Sequence, residues 1–359
     1  MSSVSQNPQA QRATASFIFL PDMRSSGKKL LYEIEQVMKT NTLASILGHA
    51  RYVMCDPPFY DSLETAFYDP TLARRWFLTD NPIGADETAT EIQWKALSTC
   101  INEIRNKVWA EAMIVGRENV FLVGFGIGFA VATAFLLQME EPIGGLFGVY
   151  PVMPFHVDLK YIALDGQTKA VVNSWSTISD EDGTNSEVSV GTLDIDRGND
   201  QTHEARRARL MGFFEYLACQ WEAPAHKRYC DRLDASTPVI LLHGMDDEQI
   251  PYMYAKEAAQ TFLYLGYNVK LDLMEGQGHR LSRKMIGEIF HSFMKYGLGN
   301  EEVRAHFSVL LWEGAFNEEE IVRGNALELA YNFKSPSSKQ KLDDVELKVD
   351  EIVIVHDAI

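Results

Sequence analysis

The sequence predicts an α/β fold, a mostly parallel sheet with helices on both faces. Three observations carry that expectation. Strand-like and helix-like segments alternate along most of the chain. The strand-like segments SFIFL, VFLVGF, GLFGVYP and PVILLH are apolar almost without a break, as strands buried on both faces are. And VFLVGFGIGFAVATAFL, from Val120 to Leu136, reads as a buried strand, a tight glycine turn and an apolar helix in succession.

Taken in order, residues 1–15 are polar and predict disorder. Ser16–Leu20 is a buried strand that runs into the turn-rich Pro21–Gly27. Leu30, Leu31, Ile34, Val37 and Met38 recur at helical spacing, which predicts a helix from Lys28 to about His49. Arg51–Cys55 is a second strand, followed by an aromatic loop containing Trp76 and Phe77. A long amphipathic helix spans Asp86 to about Trp109 and leads to the Val120 strand. Gly145–Pro151 is the fourth core strand. After it the pattern dissolves: residues 155–236 read as an acidic insertion with a helix near His203–Trp221, a lid being one reading of it. Regularity returns with strand Pro238–His243, helix Met253–Leu265, strand Asn268–Met274 and a helix near Lys284–Tyr296. One α/β domain is thus expected over 16–333. A polar linker and a strand-like tail, Val345–Val355, occupy 334–359.

The net charge of −17 argues against nucleic acid or an anionic membrane surface as partner, since both select clustered Lys and Arg. Cys55, Cys100, Cys219 and Cys230 show no C-x-x-C pair, which favours free thiols in a reducing compartment over disulfides. The N-terminus lacks a basic stretch followed by an apolar one, and no apolar run is long enough to span a bilayer. A cytoplasmic protein is expected. The remaining histidines form no metal-ligand spacing, so no cofactor or metal is expected.

Three motifs could carry chemistry. Gly124-x-Gly126-x-Gly128 has the frame of a G-x-S-x-G nucleophile elbow, with glycine where the serine stands. His243-Gly244-Met245-Asp246-Asp247 puts carboxylates in the loop after a parallel strand, and Gly276-Gln277-Gly278-His279 puts a histidine in the loop after the next. Loops at the carboxyl ends of parallel strands are where such sheets hold ligands. The order of elbow, acid and histidine is that of a Ser-His-Asp hydrolase. A dinucleotide-binding turn would need a third Gly or Ala where Phe129 or Val131 stands, and no acidic residue ends the next strand.

Together these motifs resemble the phospholipase/carboxylesterase group of α/β-hydrolases, which contains the acyl-protein thioesterases, and especially its longer fungal members with an acidic insert. That group reads F-L-H-G-x-G, W-F-D, G-[FL]-S-Q-G, H-G-x-x-D-x-x-V-P and G-x-G-H. The counterparts here are Phe19–Arg24, Trp76-Phe77, Gly124–Gly128, His243–Pro251 and Gly276–His279, so the likeness runs from Ala15 to Tyr296. The resemblance implies the α/β-hydrolase fold with an insertion after the fourth core strand. It makes Asp247 the triad acid and His279 the base, with Gly126 at the vacated nucleophile position. The oxyanion-hole positions are Met23 and Ile127, and Asp22, Arg24, Trp76 and Phe125 are expected around the pocket.

The departures from that pattern bear on function. Gly126 has no side chain to attack with, and Pro21-Asp22 replaces the family's His-Gly. A carboxylate at Asp22 opposes negative charge in the oxyanion hole unless Arg24 neutralises it. A single serine knock-out would leave Pro21, Asp22, Ile127 and Phe129 unexplained. Three functional readings stay open. In the first, His279 and Asp247 act as a general-base dyad on a small molecule in a cyclisation, isomerisation, elimination or condensation, a setting in secondary metabolism fitting it. In the second, the chain is a pseudo-hydrolase that binds a ligand or a protein partner. In the third, His279 activates water for residual (thio)esterase activity. A small-molecule substrate or ligand is the expected partner, with a homodimer also open.

Overall fold

The structure, a computed structural model, describes residues 13–38, 50–60, 74–77, 87–164, 202–220 and 234–297. Six strands form the sheet: β1 (Ala15–Leu20), β5 (Val120–Phe125), β6 (Gly145–Val149) and β7 (Val239–Gly244), apolar in nearly every position, and β2 (Ala50–Met54) and β8 (Val269–Met274), which carry Arg51, Lys270 and Asp272. They pair in parallel in the order β2-β1-β5-β6-β7-β8. A two-stranded antiparallel ribbon, β3 (Phe59–Tyr60) with β4 (Arg74–Arg75), stands apart from that sheet.

Alternation along the strands divides the core in two. Ile18, Leu20, Leu122, Leu146 and Leu241 face α2 (Glu87–Val115), α3 (Ile127–Leu136), α4 (His156–Leu164), α5 (His203–Gln220) and α6 (Met253–Tyr264). Phe17, Phe19, Phe121, Phe147 and Leu242 face α1 (Gly27–Met38) and α7 (Arg283–Gly297). On this second face Phe293 meets both Phe17 and Phe121 edge to face, its ring centroid 4.4 Å from the first and 4.7 Å from the second. The four inner strands have no exposed position, whereas the edge strands β2 and β8 are only part-buried. That difference is why SFIFL and VFLVGF lack a polar face.

Some boundaries differ from the sequence reading. The long helix α2 continues six residues past Trp109, because Val115 still finds the core on its inner side. Residues after Phe155 are not patternless: α4 follows at once, with Leu159 and Ala163 buried. Its weak amphipathicity hid it, since it is covered on more than one side. The residues from 39 to His49, most of the acidic insertion, and everything after Gly297, including the strand-like tail, lie outside the described residues. Cys55 and Cys100 are free and buried, and burial pushes the Cys55 thiol up to about 12.

Candidate active site

The chain runs from β1 to β2 at one edge and then returns to place β5 on the other side of β1. The sheet therefore has its switch point between β1 and β5, and the crevice beyond their carboxyl ends is the place such sheets offer a ligand. Pro21-Asp22 leaves β1 there and Gly126 leaves β5 there. The loops after β6, β7 and β8 bring Tyr150, Asp247 and His279 to the same rim.

Gly126 joins β5 to α3 with φ 49° and ψ −115°. Any L-residue is strained in that conformation by about 1–3 kcal/mol, and glycine is not. The flanking glycines serve close approach instead. A Cβ on Gly124 would lie 2.4 Å from Phe129 Cα, and one on Gly128 would lie 2.3 Å from the Leu20 carbonyl oxygen. At Gly126 the obstacle is different: a Cβ would lie 2.1 Å from Asp22 Oδ1 and 2.5 Å from Oδ2. The Asp22 carboxylate fills the space where a side chain on the elbow would begin.

That carboxylate is held by the two expected oxyanion donors. Met23 N–H donates to Asp22 Oδ1 at 2.7 Å, and Ile127 N–H donates to the same oxygen at 2.9 Å. Ile127 opens α3, so the helix's N-terminal partial charge favours an anion at this point. Trp76 sets the loop from below: its Nε1–H donates to the Pro21 carbonyl at 2.7 Å. With 1% of its surface exposed it does not line a pocket mouth, contrary to the sequence expectation. Phe125 also leaves the pocket set. It turns to the opposite face of the sheet, where it borders a small crevice with Phe19, Ile34 and Phe290. Strand alternation decides this, since Phe125 shares its face with Phe121 and Val123. Arg24 is exposed on the turn that follows, with φ 57°.

On the far side, Asp247 is buried in a turn of its own making. Its Oδ1 accepts the N–H groups of Gln249 (2.9 Å) and Ile250 (2.8 Å), which leaves Oδ2 for His279 Nδ1–H at 2.8 Å. Asp246 is exposed and takes no part in that contact. His243 is fully buried; its Nε2–H donates to the Ile250 carbonyl at 2.8 Å, and burial lowers its pKa. It ties the loop.

His279 Nε2 faces Asp22 Oδ2 at 3.4 Å. The imidazole thus stands between two carboxylates, Asp22 on one nitrogen and Asp247 on the other. Asp22 is the largest influence raising its pKa, burial opposes, and Asp247 adds to the rise. The two carboxylates thus favour the protonated ring, burial opposes it, and Nε2 is placed to exchange a proton with a group beside Asp22.

Tyr150 is the residue the sequence reading passed over. It follows β6 with φ 40°, a strained angle for tyrosine, and its ring centroid lies 4.5 Å from that of His279. Burial, then the neighbouring Asp22, Glu33 and Asp247 carboxylates, raise its pKa, so the phenol keeps its proton. Its position at the carboxyl end of a core strand was the available signal. Among the described residues no group of three or more His, Cys, Asp or Glu is placed to hold a metal ion, and no helix is long and apolar enough to cross a membrane.

The Phospholipase/Carboxylesterase family model matches residues 202–296, the stretch that carries β7, Asp247, β8 and His279. No curated protein matches the chain. Among solved structures, Arabidopsis thaliana SOBER1 is similar at 17% identity, covering 77% of this chain and 95% of that one, with a TM-score of 0.45. Zea mays acyl-protein thioesterase 2 is similar at 13% identity over 80% and 95%, also with a TM-score of 0.45. The parallel strand order and the elbow between β5 and α3 give this chain the α/β-hydrolase fold.

Proposed function

We propose that this carboxylesterase-like scaffold works without a seryl nucleophile, as an acid–base catalyst on a small molecule, with His279 carrying the proton and Asp247 orienting it. One observation supports this above the others: the Asp22 carboxylate sits on both oxyanion donors and in the space of an elbow side chain, while His279 and Asp247 keep a 2.8 Å contact. Acyl transfer needs a nucleophile and an empty oxyanion hole at once, and the glycine at 126 and the Asp22 carboxylate on both N–H groups speak against each. An imidazole between two carboxylates still moves protons, and cyclisation, isomerisation, elimination or condensation needs no acyl-enzyme.

The filled hole also favours a second reading, a pseudo-hydrolase that binds a ligand or partner without turnover. A fluorophosphonate probe followed by intact-mass analysis tests what both share: the protein should stay unlabelled and p-nitrophenyl esters uncleaved. Stoichiometric phosphonylation at the elbow would overturn both readings. His279→Ala separates them, since it removes catalysis under the first and spares binding under the second.

A further inference from the structure

The two oxygens of Asp22 stand in different settings. Oδ1 accepts both backbone N–H groups, whereas Oδ2 faces His279 Nε2 at 3.4 Å. The Asp22 side chain keeps 26% of its surface exposed and that of His279 17%, so the pair is open to a small molecule. A carboxylate held this way is badly placed to attack an acyl carbon. That reaction builds an oxyanion on the substrate, and the donors that would hold it are already taken. Displacement at a saturated carbon puts the charge on the leaving group instead and needs no second hole.

We propose that Asp22 is a covalent nucleophile toward saturated carbon and that the site opens epoxides to vicinal diols. The inference goes beyond the acid–base reading above and rests on its claim that His279, backed by Asp247, moves protons for a bound small molecule.

The steps balance with water as the only other reactant. Asp22 Oδ2 forms a bond to one epoxide carbon as the carbon–oxygen bond of the ring breaks. The electron pair goes to the ring oxygen, which takes the proton from His279 Nε2. The product is a hydroxyalkyl ester of Asp22 beside a neutral imidazole. Its carbonyl oxygen, Oδ1, already lies on the Met23 and Ile127 N–H groups. Water then attacks Asp22 Cγ and passes a proton to His279 Nε2, while the tetrahedral charge rests on Oδ1. The Cγ–Oδ2 bond breaks, the departing alkoxide takes the proton from His279, and the diol leaves. The new carboxyl returns its own proton to His279, which restores the resting pair.

The placement of His279 Nε2 3.4 Å from the attacking oxygen selects the substrate class. A halide leaves without a proton and makes no use of that neighbour, whereas the epoxide oxygen stays on the substrate and needs one. Esterification also cancels the Asp22 charge, the largest influence raising the His279 pKa, which favours the neutral base at the step where water is activated.

The test uses the full chain and styrene oxide in oxygen-18 water, with the peptide containing Asp22 read by mass spectrometry. Water attacks Cγ, so Asp22 should gain oxygen-18 as diol accumulates and gain none without epoxide. Asp22→Ala should lower diol formation about a hundredfold or more. Because the isotope is read on the unsubstituted protein, the test stands even if that variant folds poorly. Diol carrying oxygen-18 from the first turnover, with Asp22 unlabelled, would overturn the nucleophile and leave the acid–base reading in place. Neither diol nor label would overturn it also. Failure of the acid–base reading shows separately, as fluorophosphonate labelling.

Discussion

Replacing Gly126 by serine would set a Cβ 2.1 Å from Asp22 Oδ1 on a backbone with φ 49°. Two costs add. The backbone angle contributes about 1–3 kcal/mol wherever Asp22 lies. The overlap expels the Asp22 carboxylate and breaks its bonds to Met23 and Ile127 N–H, at 2.7 and 2.9 Å. Hydrogen bonds to a charged group net about 1.5–3 kcal/mol each when buried, and the partial exposure of Asp22 brings this to about 1 kcal/mol each. Gly126→Ser should therefore destabilise the chain by about 3–5 kcal/mol. With Asp22→Ala already present, only the backbone share remains, so the two substitutions should couple by about 2 kcal/mol. Urea unfolding of the four proteins of that cycle measures this. Activity should follow the same logic: Gly126→Ser alone stays inert, while the double variant has a nucleophile, a vacated hole and the His279–Asp247 pair, and hydrolyses p-nitrophenyl acetate. Strictly additive stabilities, or full esterase activity in Gly126→Ser with Asp22 intact, would refute the account of the filled hole.

Two further outcomes are expected. Asp22→Ala removes the largest influence raising the His279 pKa, so the ring titration followed by NMR should move to lower pH; an unchanged midpoint would mean that Asp22 and His279 are not in contact in solution. Asp158, buried in the first turn of α4, has its carboxyl pushed up to about 7 by desolvation. The folded chain then holds a proton that the unfolded chain has lost, so stability falls as pH rises from about 4 to about 7 and stays lower above that. Asp158→Asn should flatten this slope and stabilise the protein by about 4 kcal/mol at pH 8, with the gain shrinking toward pH 4. Equal stability gains at both pH values would contradict a buried, titrating carboxyl.

Much of the scaffold was legible because it depends on patterns that repeat along the chain. Two-faced burial makes β1, β5, β6 and β7 apolar at every position, and helical spacing betrays α1 and α7. The ends of elements were less legible, as at α2, because a helix stops where its packing stops. The pairing of Asp247 rather than Asp246 with His279 turned on a two-residue backbone turn. Trp76 and Phe125 were misplaced for a related reason. A motif position says that an aromatic is present, whereas its face is set by the alternation and hydrogen bonding of its neighbours.

What the sequence by itself determined was the parallel sheet, the elbow with glycine at its apex, and an acid and a histidine on successive strand ends. Strand and helix periodicity, and glycine's tolerance of positive φ, are properties of short stretches of chain. What only the tertiary structure decided was the use made of Asp22. Its contact with Ile127 spans 105 positions, and that of Trp76 with Pro21 spans 55. No local pattern records such meetings. The folded chain brings a carboxylate from one strand end into the space that glycine leaves at another, against the N–H group that opens the next helix.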